Sequence, residues 1–141
     1  MGFGIALGTI GTYNDLTYSR SRSLAAWAQV ENQLQRRADL IPSLVRVTQA
    51  YAQHEKDIIF LLNQSRQAYL QANTQIEKLQ ALALVDRAIN NFQNYAATDP
   101  NLQSSQLFIN LQYEIAGTEN RIAVERMRYN QTANVYNQQL Q

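Results

Sequence analysis

The chain has 141 residues, of which 45% are hydrophobic, enough for one domain with its own core and too apolar for a disordered segment. With only 5 Gly and 2 Pro it lacks the turn residues that an all-β sandwich or barrel consumes. The formal net charge of +1 gives no whole-chain field for nucleic acid, and the absence of Cys removes disulfides and thiolate metal sites.

Residues 1–14, MGFGIALGTIGTYN, carry no charged side chain. A spanning helix needs about 20 apolar residues. The stretch therefore reads as the C-terminal part of a transmembrane helix, or as an apolar lead-in to the first bundle helix. Phe3, Gly4, Ile5, Leu7, Gly8 and Ile10 are its membrane-facing candidates, with Gly4 and Gly8 in a G-x-x-x-G spacing. No basic region precedes it, which disfavours a cleaved signal. Tyr13 and Tyr18 followed by Arg20 and Arg22 have the order of a juxtamembrane exit, and the arginines favour a bundle on the cytoplasmic side. The expected organisation is an anchor at 1–14 and a bundle at 15–141.

Beyond Tyr13 the spacing is helical. Leu16, Arg20, Ser23, Trp27, Val30 and Leu34 alternate steps of four and three, the spacing of a bundle seam, with Arg20 and Ser23 as polar exceptions. Pro42 predicts a turn or sharp kink between Ala38 and itself, because proline is accommodated only in a first helical turn. A second helix is expected over 42–72, with Leu44, Val47, Tyr51, Ile58, Leu61 and Leu62 on its apolar side. A polar gap at 73–75 marks the next turn. The third helix carries Leu82, Val85, Ile89, Phe92 and Ala96. Thr98-Asp99-Pro100-Asn101 is the clearest stop. A last helix over 102–140, with a seam of Leu111, Ile115, Thr118, Ile122, Glu125, Tyr129, Thr132 and Tyr136, would be roughly 55 Å long at about 1.5 Å per residue. The fold class is all-α: an elongated antiparallel up-and-down bundle of four helices, or of three with a kinked first one.

Several blocks together resemble the LemA family. They are Trp27-Ala28-Gln29-Val30, QLQRRADLIPSLV at 33–45, Tyr51-Ala52-Gln53-His54-Glu55, and GTENRIA at 117–123. Phe108, Leu111-Gln112, Glu114-Ile115 and the Tyr-Asn pairs at 13, 129 and 136 complete the set, in order along almost the whole chain. The resemblance implies a bacterial protein with one N-terminal membrane helix followed by an antiparallel helical bundle, and it brings no catalytic residue with it. Residues 68–81 fall outside these blocks.

Candidate chemistry is sparse. His54 is the only histidine, so a di-metal site built from two Glu-x-x-His pairs is unavailable, and His54-Glu55 has no second histidine to complete a zincin motif. No phosphate-binding Gly-rich loop and no nucleophile elbow occurs. No metal, cofactor or enzymatic activity is expected. Arg121, Arg126 and Arg128 alternate with Glu114, Glu119 and Glu125, the pattern of surface ion pairs and not of a nucleic-acid face. Gly117 interrupts a strong helical pattern at a cost of about 1 kcal/mol relative to Ala, which predicts close approach of another helix or a ligand. Glu119, Asn120 and Arg121 are expected to join Arg36, Arg37 and Asp39 in a buried or half-buried polar network that fixes register. Trp27, Leu34, Pro42, Ile115, Gly117, Ile122 and Tyr129 are the residues expected to hold the bundle together. The function expected is a membrane-anchored, non-enzymatic scaffold that contacts lipid through its start and either itself or a protein partner through its helices. The alternative is a tethered signalling or small-ligand-binding module.

Overall fold

The structure, a computed structural model, describes residues 2–140, with side chains for residues 13–140. Every element among them is helical, in the order α1 (Gly2–Asp39), α2 (Ile41–Tyr51), α3 (Lys56–Gln71), α4 (Gln75–Ala96), α5 (Pro100–Gln103) and α6 (Gln106–Leu140). The helical bundle expected from the spacing is thus present. The side chains of Phe3, Gly4, Ile5, Leu7, Gly8 and Ile10, on which the anchor expectation rests, lie outside the described residues. Helix α1 runs through position 14 without a break. Among the described residues no helix is long and apolar enough to cross a membrane.

The chain divides into two compact units. One consists of residues 1–32 and 121–141, the other of residues 33–120. In the larger unit the core is formed by Ile41, Leu44 and Val47 of α2, Leu62 of α3, Val85, Ile89 and Phe92 of α4, Leu102 of α5 and Ile115 of α6. Phe92 and Phe108 meet with ring centroids 6.0 Å apart at 51°, an edge-biased packing that suits the ring quadrupoles.

The local stops are chemical. Between α1 and α2 only Leu40 intervenes, and its backbone stays right-handed helical (φ −71°, ψ −24°) with Pro42 in the first turn of α2. Pro42 has no N–H to give the preceding turn, so the helix bends there and does not reverse. The reversal comes later. The expected unbroken helix over 42–72 is divided by a turn at residues 52–55, where Ala52 N–H bonds Thr48 O at 2.6 Å and Glu55 N–H bonds Ala52 O at 2.9 Å. Helix α2 ends weakly for a physical reason. Val45, Val47 and Thr48 are β-branched, and the Thr48 hydroxyl donates to Leu44 O at 2.7 Å, competing with the helix's own bonds. Tyr51, expected on the apolar face, is exposed, and Ala52 is fully buried in its place.

Thr74 caps α4 by accepting from Glu77 N–H at 3.1 Å, while the Glu77 carboxylate accepts from Asn73 N–H at 2.8 Å, a reciprocal cap in a gap without Gly or Pro. Asp99 caps α5 through Leu102 N–H at 3.1 Å, with Pro100 at the first helical position. Asp99 also accepts from the Tyr95 hydroxyl at 3.3 Å. Partial burial, followed by the Asp99 charge and this hydrogen bond, raises the Tyr95 pKa above its ordinary value. The long last helix begins at Gln106, not at 102, because Ser105 Oγ accepts from Phe108 N–H at 3.1 Å and starts a new helix.

In the smaller unit α1 and α6 run antiparallel along one seam. Ser19, Trp27 and Val30 of α1 and Ile122 of α6 are buried, and Leu16, Ser23, Glu125, Tyr129, Thr132 and Tyr136 are half-buried along the same line. Arg20, expected on this seam, is exposed, and Ser19 takes its place one residue earlier. A guanidinium there would be desolvated without a partner, whereas a hydroxyl costs far less to bury.

Candidate functional site

Two clusters carry the polar and aromatic residues singled out by the sequence. The first lies in the larger unit. Arg37, 5% exposed, projects from the last turn of α1. Its Nε donates to Asp86 Oδ1 of α4 at 2.6 Å, and its Nη1 donates to Ile115 O at 2.9 Å and to Thr118 Oγ1 at 3.0 Å, both on α6. The Thr118 hydroxyl in turn donates to Ile115 O at 3.1 Å. One guanidinium therefore ties three helices together with charge-assisted bonds in a fixed fork geometry that a lysine does not have. The Asp86 side chain is 44% exposed, so one end of the pair stays in contact with water and avoids most of the desolvation penalty of a fully buried pair.

The network expected around Arg37 is much smaller than the sequence implies. Arg36 and Asp39 are exposed, Asp39 accepting from Gln35 Nε2 at 3.0 Å on the same helix. Glu119, Asn120 and Arg121 are also exposed. The reason is angular: at 3.6 residues per turn Arg37 and Ala38 of α1 and Thr118 of α6 fall on the buried faces, and Arg36, Asp39, Glu119, Asn120 and Arg121 beside them fall on the solvent side. Asp86 was not among the expected residues. Its sequence signal is its place four residues after Leu82 and three before Ile89, on the apolar side of α4.

Gly117 is half-buried, and a Cβ added to it would meet nothing within 4 Å. The close helix approach expected there is absent, since the neighbouring helix is contacted through positions 115 and 118.

The second cluster lies in the smaller unit. Trp27 packs on Tyr129 with ring centroids 5.3 Å apart at 59°, which joins α1 to α6 as the seam spacing implied. Pro42, in the larger unit, is half-buried in the first turn of α2 and shapes the bend. On the surface of α6, Arg128 Nη1 reaches Glu125 Oε1 at 3.2 Å, one of the ion pairs expected from the alternating charges.

The blocks that carry the family likeness coincide with these features: 33–45 with Arg37 and the bend at Leu40, 51–55 with the reversing turn, and 117–123 with the Thr118 contact. The family model for the LemA family matches residues 26–141. The chain belongs to the LemA family. No curated protein matches it. The matched stretch of this LemA-family chain contains both clusters. His54, its only imidazole, stands exposed in the turn with Nε2 3.2 Å from Glu55 Oε1. Among the described residues no group of three or more His, Cys, Asp or Glu converges as a metal site would require.

Proposed function

We propose that this LemA-family chain is a membrane-held, non-enzymatic scaffold, and that its two-helix unit is the part that meets copies of itself or another protein. One observation carries the reading. The α1–α6 seam uses one face of each helix, and Tyr18, Leu24, Val124 and Met127 remain exposed on the other faces. Two paired helices leave large side chains uncovered unless something else covers them. Arg37, a charged side chain buried in the larger unit, is engaged in bonds within the chain, which supports packing over chemistry as its role.

The anchor part of the proposal rests on the charge-free residues 1–14, which continue directly into the Tyr13, Tyr18, Arg20 and Arg22 sequence. Tyrosines and arginines that follow an apolar stretch suit the headgroup region, and the arginines favour the cytoplasmic face of a bacterial membrane. The test is co-flotation of the full chain with vesicles, compared with a chain lacking residues 1–12, together with the native mass of each in neutral detergent. Flotation lost on deletion, with a defined oligomer in detergent, is the expected outcome. Equal flotation of both chains would remove the anchor, and a monomer at every concentration would remove self-association.

A second reading, a tethered ligand-binding module, is favoured by a small polar cavity in the same two-helix unit.

A further inference from the structure

The α1–α6 seam opens at one point into a cavity of about 120 Å³ lined by Ser19, Arg22, Gln131, Thr132 and Val135. Its floor is unusual for a helical seam. Ser19 is 6% exposed, yet its hydroxyl makes no hydrogen bond with any described residue. The hydroxyl opens on the cavity, so its O–H is available to an occupant. The Thr132 hydroxyl already donates to Tyr129 O at 2.8 Å, so what it offers the cavity is a lone pair. Gln131 adds an amide with both donor and acceptor character.

Arg22 supplies the charge. Among the described residues no carboxylate pairs with its guanidinium, whose carbon lies 5.8 Å from the Tyr18 ring centroid. Stacking of this kind holds the guanidinium plane and leaves its edge N–H groups free for an oxyanion. The acids of the unit do not compete strongly. Glu125 is engaged by Arg128, Glu31 lies more than two turns away along α1, and Asp15 is exposed one turn before Ser19. Five arginines against three carboxylates in this unit give the cavity a positive surround, while the larger unit carries seven cations against eight acids.

We propose that this cavity binds a phosphate group, with the Arg22 guanidinium and the Ser19 hydroxyl as its principal donors and the Gln131 amide as a third. Two sources share that chemistry, a phospholipid headgroup and a free phosphate. The site stands independently of the anchor, since it is built from residues 19–22 and 131–135 alone.

The experiment is calorimetric titration of the full chain in neutral detergent with inorganic phosphate in one arm and a short-chain phosphatidic acid in the other. Short-chain diacylglycerol, which lacks the phosphate, is the control. Saturable binding of one phosphate group per chain is expected. Arg22→Gln should weaken it about tenfold or more, equivalent to about 1.4 kcal/mol, and Ser19→Ala about threefold. Arg126→Gln, an exposed cation off the cavity wall, should leave it within about twofold. Unchanged thermal melts of all three variants exclude misfolding as the cause. Binding in the phosphatidic acid arm alone assigns a headgroup, and binding in both arms assigns the phosphate itself. Equal weakening by Arg22→Gln and Arg126→Gln, or saturable binding in neither arm, overturns the proposal. Because the deletion of residues 1–12 is not used, failure here leaves the flotation result untouched, and the converse also holds.

Discussion

The two units of the chain solve the same problem with unequal means. Residues 33–120 surround a core from several sides, and nearly all of the largest fully buried side chains, Phe92, Leu44, Leu62, Ile89 and Leu102 among them, belong to it. Residues 13–32 and 121–140 form a seam of two helices, and Val30 is the one member of that set on it. Ser19, Ser23, Glu125 and Thr132 occupy seam positions that a well-packed bundle gives to Leu or Ile. The lesson is that a long amphipathic helix does not have one stability along its length. Where few apolar contacts cover the backbone, local opening is cheap, and such regions are where binding and assembly tend to be placed.

The largest expected effect lies in the core. Phe92→Ala removes a fully buried ring in contact with Phe108 and should destabilise by about 3–5 kcal/mol, with loss of amide protection throughout residues 33–120. Trp27→Ala removes a ring of greater size, but from the two-helix seam. Its loss of protection should concentrate in residues 13–32 and 121–140. Hydrogen exchange followed by mass spectrometry separates the two. If both variants lose protection uniformly, the chain opens as one cooperative body and the contrast between the units fails.

Next in size is the Arg37 tie. Asp86→Ala strands a buried guanidinium and should cost about 2 kcal/mol, moderated by the exposure of Asp86 itself. Arg37→Met keeps the volume and removes the charge together with its need for a partner, so it should lie within about 1 kcal/mol of the parent in urea unfolding. A costly Arg37→Met would mean that the bonds to Ile115 O and Thr118, more than the pairing of charges, hold α1, α4 and α6 in register. Smaller again is Thr74→Ala, expected to cost about 1 kcal/mol through loss of the α4 cap, with the change confined to the α3–α4 hairpin.

These effects also show what the sequence could and could not convey. The spacing of Leu82, Val85, Ile89, Phe92 and Ala96 revealed α4 and its buried face, because apolar periodicity reports burial directly. The α6 seam from Leu111 to Tyr136 was legible for the same reason. The turn at 52–55 was not. Val47 and Ile58 are eleven residues apart, about three helical turns, so the apolar register runs across the break as if the helix continued. Of the candidate residues, Trp27, Arg37 and Tyr129 stand at helix contacts. Arg36, Asp39, Glu119, Asn120 and Arg121 do not, since a cluster of polar letters does not say which side of the helix each one occupies. Asp86 was missed because a lone acid in an apolar stripe matters only once its cation, 49 positions away, is brought to it. Ser19 on the cavity had no signal at all, for a serine in a helical pattern reads the same whether its hydroxyl lines a cavity or not.

The smallest predicted change has the opposite sign, and it sharpens the comparison most. Gly117 lies on α6 near where the larger unit ends, with ordinary backbone dihedrals and open space where a Cβ would stand. Nothing among the described residues requires a glycine there. Gly117→Ala should therefore stabilise the isolated chain by about 0.5–1 kcal/mol through reduced entropy of the unfolded state and better helix propensity. On a chain of this length that is an upward shift of about 2–4 °C in melting temperature. The same substitution in the assembled protein is the more informative measurement. If the gain in dilute detergent persists under conditions of self-association, the glycine is incidental to both folding and assembly. If the gain is lost or reversed there, the space above Gly117 is filled by another chain, and the close approach that the sequence implied occurs between molecules instead of within one.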